Sequence, residues 1–423
     1  MAGPAAPPLT LPLTLLARRR ANRELAATAA ALLALYWWVS GPGLAGTADS
    51  GNYLHAARSL RQVGRLLMPD GRPFAAWPPL FPVLLRLVGA PASLGLVRGL
   101  QAAGLVGALV GWSLVGRQLL SAGRARALPL LLALNAPALA ASKFIWSETV
   151  FGLLWAAYFL SLLAWLRAGG WAWGLWATAL GCLLPLQRVA GFFLLLGVGL
   201  GLAWPGSRRL VRPGRPAQLA HWLGSAAGLL AWQAYQGRQA LLGQLDAMTA
   251  TQLLARLLHS LADYGFVLGH WLLPLPPASR LALPPLAWAL LGLAGLLGLA
   301  AGARARPVEV AVAGRADGPA QVAGRLLFGS LVVSLSLLLL STMRGRAGLG
   351  LDEAERYFTP LFPPAALLLL LAWPRAGQLA RLGRGLLLGS LLYQALRLGH
   401  NARYLHQLPP VLSAEQLPLP GQR

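Results

Sequence analysis

Eight acidic residues fall in short polar stretches between long apolar runs: Asp49, Asp70, Glu148, Asp246, Asp263, Asp352, Glu353 and Glu355. The topology argued below puts all of them on one side of a membrane. Asp49 is the best placed for chemistry, because it follows the first apolar run by only a few residues in the stretch Thr-Ala-Asp-Ser-Gly-Asn-Tyr-Leu-His-Ala-Ala-Arg-Ser-Leu, 47–60. Behind it Tyr53, Ala56, Ala57 and Leu60 are spaced i, i+3, i+4, i+7, which predicts one face of a helix. A carboxylate held at a membrane surface suits a general base, taking the proton of an acceptor hydroxyl while an anionic lipid phosphate leaves. The competing reading is local: Asp49 N-caps the helix behind it, with Ser50 as a rival cap.

The elements that must hold these residues are set by composition. Of 423 residues, 57% are hydrophobic and only 11% are charged, and the mean hydropathy is +0.58. Soluble domains carry about 25% charged residues, so the expected solvent is a bilayer. Residues 148–166, after Glu148 at their first position, and 189–204, 281–302 and 326–342 contain no formal charge. A helix needs about 20 apolar residues to cross some 30 Å of hydrocarbon, and so many such runs predict a polytopic, all-α integral membrane protein.

Orientation follows from the arginines. Arg18, Arg19, Arg20 and Arg23 precede a first span at about 25–42, which predicts a cytoplasmic N-terminus with no cleavable signal. Further spans are expected at about 95–119, 127–141, 148–166, 171–186, 189–204, 218–236, 281–302, 326–342, 358–374 and 385–399, about eleven in all. With that alternation the clusters at Arg124 and Arg126, at Arg208–Arg215, at Arg304–Arg325 and at Arg375–Arg384 share one side. Residues 1–423 then form a single polytopic membrane domain with outer segments at about 43–94, 237–280 and 343–357. The short third and fifth spans are candidates for re-entrant segments. Gly197-x-x-x-Gly201 and Gly298-x-x-x-Gly302 have the spacing of close helix packing. In the second outer segment Leu253, Leu254, Leu257, Leu258 and Leu261 share a face of an amphipathic helix. That helix either roofs an acceptor groove or lies on the membrane surface, and surface lying is the expectation.

Several function classes drop out. The net charge of +24 is dispersed between spans rather than gathered in a stripe, which argues against nucleic-acid binding. A lone Cys182 permits no intrachain disulfide, and six histidines show no metal-ligand spacing. No internal repeat is visible and few ionisable residues fall inside spans, both of which weigh against a transporter.

Other polar landmarks accompany Asp49: Trp77-Pro78-Pro79-Leu80-Phe81-Pro82, Trp146-Ser147-Glu148-Thr149, Gln187-Arg188-Val189-Ala190-Gly191, and Glu355-Arg356-Tyr357-Phe358-Thr359-Pro360-Leu361. Each has a bland reading, respectively an interfacial anchor, a Ser147 helix cap with Glu148 near the helix N-terminus, interfacial snorkelling of arginine, and a solvated loop face. In this order they resemble GT-C glycosyltransferases, above all the bacterial relatives of protein O-mannosyltransferases and of the lipid A aminoarabinose transferase. The resemblance implies a GT-C-type fold whose periplasmic first loop holds amphipathic or re-entrant helices. It implies Asp49 as the catalytic base and Tyr53, Glu148, Arg188, Arg356 and Tyr357 as substrate-binding residues, the two arginines clamping a lipid phosphate. Many members carry two adjacent acids where this chain has Asp49 alone; a divalent cation, the only cofactor considered, would find half of that pair.

The implied activity is inverting transfer of a sugar from a polyprenyl-phosphate carrier to a lipid or glycan acceptor on the outer face of a bacterial inner membrane. A multi-span transporter or lipid flippase, and a polysaccharide polymerase or ligase, are the alternatives.

Overall fold

The computed structural model describes residues 11–75, 77–90, 92–204, 207–236, 249–271, 283–304, 318–344, 351–373 and 377–411. Among them the chain is helical, with no β-strand and two isolated bridges, Ala45–Phe144 and Leu67–Pro73. In order the helices are α1 Leu11–Val39, α2 Ala48–Val63, α3 Leu80–Leu87, α4 Leu94–Leu119, α5 Ala122–Ala133, α6 Ala136–Lys143, α7 Glu148–Ala168 and α8 Trp171–Gln187. They continue as α9 Ala190–Ala203, α10 Arg215–Gln236, α11 Ala250–His270, α12 Pro285–Arg304, α13 Gly318–Arg344, α14 Leu351–Phe358, α15 Phe362–Ala372 and α16 Gly377–Gln407.

Among the described residues four helices are long and apolar enough to cross a membrane: α4, α7, α12 and the Gln321–Leu340 part of α13. A fifth span arises if α5 and α6 are counted together; they are bent by 43° at their junction, where Asn135 leaves the helical register and Pro137 occupies the first turn of α6. This break falls in the span expected at about 127–141. Among the described residues the expected count of about eleven is not reproduced by length and apolarity; α8 and α9, with 17 and 14 residues, are two of the expected spans that fall short in length.

Packing is helix on helix. α4 lies along α7, α7 along α8, α8 along α10, α9 along α13, and α11 along α12. Small residues permit the close crossings: a Cβ on Gly197 would strike the backbone of Gly329 and Ser330, and one on Gly201 would meet Leu326. The first predicted glycine pair is thus the α9–α13 crossing. In the second pair only Gly302 is confined, against Leu368, while Gly298 meets nothing. Leu290, Leu293, Leu297, Trp171 and Trp176 point outward and remain exposed, as side chains facing lipid do.

A separate apolar core sits at one end of the bundle, built mainly from the segment between α1 and α4 together with the start of α7 and the connection before it. It gathers Tyr53, Leu54, Phe74, Phe81, Leu85, Ile145 and Val150, and α2 packs on α3. The α2 face expected from its spacing is the buried one: Tyr53, Ala56 and Ala57 are 2%, 0% and 0% exposed.

The second-segment helix packs on the bundle. In the C-terminal half of α11 Ala262, Tyr264, Phe266 and Val267 are buried, and so is Trp271 just beyond it. Gly265 abuts Trp288 and Gly292 of α12. Leu253 and Leu254, on its predicted apolar face, are exposed. In a bilayer lipid accepts leucine as readily as a protein core does, so an apolar stripe does not say which side faces protein.

Candidate functional site

The site forms where the ends of α1, α6 and α8 meet the starts of α2 and α7. Ala45 N–H donates to Lys143 O at 2.9 Å, and Ile145 N–H donates to Ala45 O at 3.3 Å. Gln101 Nε2 of α4 donates to Phe144 O at 3.0 Å and Trp146 O at 2.8 Å. These bonds fix the α6–α7 connection beside the start of α2, so that two segments a hundred residues apart hold one another.

Thr47 caps α2, its Oγ1 accepting from Ser50 N–H at 3.4 Å and from Trp146 Nε1–H at 2.8 Å. This corrects the local reading of Asp49: neither it nor Ser50 is the cap. Asp49 lies inside the first turn, and its Oδ2 accepts from Arg356 Nη2 at 2.8 Å. A carboxylate in the first turn also benefits from the helix dipole.

Glu148 begins α7 and is the centre of the cluster. Its Oε1 accepts a hydrogen bond from Arg356 Nε and forms an ion pair with Arg188 Nη1 at 2.8 Å. The Glu148 side chain is 1% exposed, against 12% for Arg188 and 13% for Arg356. Its Oε2 has no hydrogen-bond partner among the described residues. Ser147 does not cap α7, as the bland reading had it; its Oγ accepts from Arg188 Nη1 at 2.9 Å. Gln187 Nε2 donates to Ser147 O at 3.1 Å, tying the end of α8 to the start of α7.

Arg356 is held on three sides. Besides the two carboxylates, its guanidinium lies 3.8 Å from the centre of the Trp146 ring, a cation–π stack that suits a planar cation. Burial opposes its charge, but Glu148 and Asp49 more than compensate and hold its pKa above the ordinary guanidinium value. Tyr357 lies 5.6 Å from the Arg188 guanidinium. Arg356 Nη1 and Arg188 Nε and Nη2 have no acceptor among the described residues. Charge-assisted donors of this kind match phosphate oxygens.

The Arg188-x-x-Gly191 spacing has a structural cause. α8 ends at Gln187, Arg188 is extended with φ −153° and ψ 141°, and α9 starts at Ala190. The return is so tight that a Cβ on Gly191 would strike the backbone of Leu184 and Pro185. Gly191→Ala is therefore expected to displace Arg188 and destabilise the chain by about 1–3 kcal/mol, read as a lower melting temperature in detergent.

The structure thus brings Asp49, Glu148, Arg188, Arg356 and Tyr357 together. Tyr53 stands behind them, packed on Phe74, Trp77 and Phe81; burial pushes its phenol well above the usual range despite Arg188 nearby, so it stays protonated. Asp70 binds Arg72 on the exposed loop, Asp263 pairs with His259 on α11, and Glu355 turns away toward Arg397. Asp246 and the side chains of Asp352 and Glu353 lie outside the described residues. Thr47 and Trp146 were given no role from sequence, although Trp146 sits in a quoted motif. Among the described residues no three His, Cys, Asp or Glu side chains converge as metal ligands. Both site carboxylates are committed to arginine, so the donor set does not fit a divalent cation. Beside Glu148 lies an apolar crevice of about 60 Å³, lined among others by Leu105, Trp112, Thr149, Gly152 and Pro360.

No protein family matches the sequence, and no curated protein matches it. A solved structure does. The fold is similar to that of ArnT. The structure is that of ArnT from Cupriavidus metallidurans bound to undecaprenyl phosphate, aligned with a TM-score of 0.55 over 91% of this chain and 77% of that one. At 14% identity the likeness to ArnT is one of fold. It agrees with the GT-C-type architecture expected from the ordered landmarks.

Proposed function

We propose that this chain transfers a sugar from a polyprenyl-phosphate carrier to a lipid or glycan acceptor, working at the outer face of a bacterial inner membrane. The observation that supports this most is the convergence of Arg188 and Arg356 on Glu148, with Asp49 on the open side of Arg356. The pairing supplies two fixed cations with spare N–H donors and one more exposed carboxylate, which is the equipment of a phosphate-releasing displacement. The likeness to ArnT, whose structure holds undecaprenyl phosphate, supports the choice of carrier.

In this reading the carrier's phosphate docks on the free donors of Arg188 and Arg356. The acceptor hydroxyl approaches Asp49, which takes its proton. The oxygen attacks the anomeric carbon from the face opposite the phosphate. The bond from that carbon to the phosphate oxygen breaks, and its electron pair leaves on polyprenyl phosphate. The arginines stabilise the charge that gathers there. One displacement with one base inverts the anomeric configuration. Glu148 is too enclosed to reach the acceptor; it holds the two guanidiniums side by side through one carboxylate oxygen, and Tyr357 flanks them. The charged groups gather at one end of the bundle, which favours a surface reaction over transport through its middle.

Binding of undecaprenyl phosphate, measured by native mass spectrometry of the detergent-solubilised protein, tests the carrier. Arg188→Ala is expected to weaken it by about tenfold to a hundredfold, the loss of one to two charge-assisted bonds. Equal binding by wild type and variant would remove Arg188 from the phosphate site.

A further inference from the structure

Arg356 and its neighbour Glu355 leave the short helix α14 in different directions. Arg356 reaches Asp49 and Glu148 on α2 and α7. Glu355 reaches α16, where Arg397 Nη2 lies 2.7 Å from both of its carboxylate oxygens. His270 Nε2 at the end of α11 lies 3.6 Å from Glu355 Oε1. The side chains of Glu355 and Arg397 are 22% and 13% exposed, so the pair is largely shielded from water and salt. Its surroundings are tied down in turn: Gln394 Nε2, one turn before Arg397, donates to His270 O at 3.1 Å and to Trp271 O at 3.3 Å.

α14 has eight residues, too few to hold a helix in place by its own backbone bonds. Its orientation is set by its direct junction with the turn at Thr359–Leu361 and α15 and by what Glu355, Arg356 and Phe358 grip. Phe358 packs against Tyr264 and Trp271 and resists sliding. That apolar contact does little to fix rotation about the helix axis. Successive residues of an α-helix are about 100° apart, so fixing Glu355 fixes the direction in which Arg356 leaves. Rotation of α14 about its axis would swing the guanidinium off Trp146 and away from one of its two carboxylates.

We propose that Glu355, anchored by Arg397, is a positioning residue: it sets the rotation of α14 and so aims the Arg356 guanidinium at the phosphate. This rests on the proposed function, because the consequence is read through the carrier phosphate. Glu355 touches no reacting atom and acts only through Arg356.

The test is a double-mutant cycle on undecaprenyl phosphate affinity, again by native mass spectrometry. Glu355→Gln and Arg397→Gln are each expected to weaken binding about tenfold, within the range of coupling found for residues sharing one salt-bridge network. In an Arg356→Gln background, the same changes are expected to cost nothing further. The exchanged pair, Glu355→Arg with Arg397→Glu, is expected to recover most of the affinity, which a loss of general stability would not allow. Additive losses, or single variants that bind like wild type, would overturn the positioning role and leave the proposed function standing. A wild-type protein that binds no undecaprenyl phosphate would overturn the proposed function itself.

Discussion

Asp49→Asn is expected to slow sugar transfer by roughly 10²- to 10⁴-fold, the contribution of a positioned general base, while the donor still binds. Asparagine matches aspartate in shape, and its Oδ1 still accepts from Arg356, so the grip on α14 survives. What is lost is the site for the acceptor's proton. The alternative role read from sequence, a helix cap, makes a different forecast. A cap variant loses about 1 kcal/mol of stability and keeps its turnover. Thr47 takes that cap in the structure, so the stability loss is assigned to Thr47→Ala and the turnover loss to Asp49→Asn. Turnover and melting temperature of the two variants, measured side by side, separate the roles.

Glu148→Ala is expected to be the most damaging change to stability. It would leave Arg188 and Arg356, 12% and 13% exposed, without the carboxylate they share. Removing one partner of a buried ion pair costs roughly 3–5 kcal/mol, because the stranded charge stays desolvated. Glu148→Gln keeps an acceptor oxygen and should fall between Ala and wild type. The exposed Asp70–Arg72 pair is the control: Asp70→Asn is expected to leave the melting temperature unchanged, since surface pairs contribute little. A thermal melt in one detergent ranks all three. If Glu148→Ala melts like wild type, the shared carboxylate does not organise the site.

Much of the site was legible because its parts are local patterns. The helix after Asp49 announces itself by apolar spacing, and its Tyr53–Ala56–Ala57 face is the buried one. The turn that carries Arg188 is marked by a glycine that the backbone of Leu184 demands. What could not be read is the meeting of Glu148 with arginines 40 and 208 positions away, because no local rule links them. Thr47 was passed over for the same reason: its hydroxyl is claimed partly by Trp146, which is remote in sequence. The partner of the α11 leucine stripe could not be read for a different reason. Hydrophobic patterning separates inside from outside only when the outside is water, and for this chain lipid solvates leucines on the outer face of a bundle as well as the core does.

The most direct measurement is donor turnover by the purified protein in lipid vesicles, offered a panel of polyprenyl-phosphate sugars with an acceptor glycolipid mixture. The expected result is consumption of one donor with equimolar release of polyprenyl phosphate, retained binding without release in Asp49→Asn, and inverted configuration in the product. Release at the same rate from wild type and Asp49→Asn would contradict the assignment of the base. Donors that bind and cross the bilayer intact would make the protein a transporter of these lipids and not a transferase.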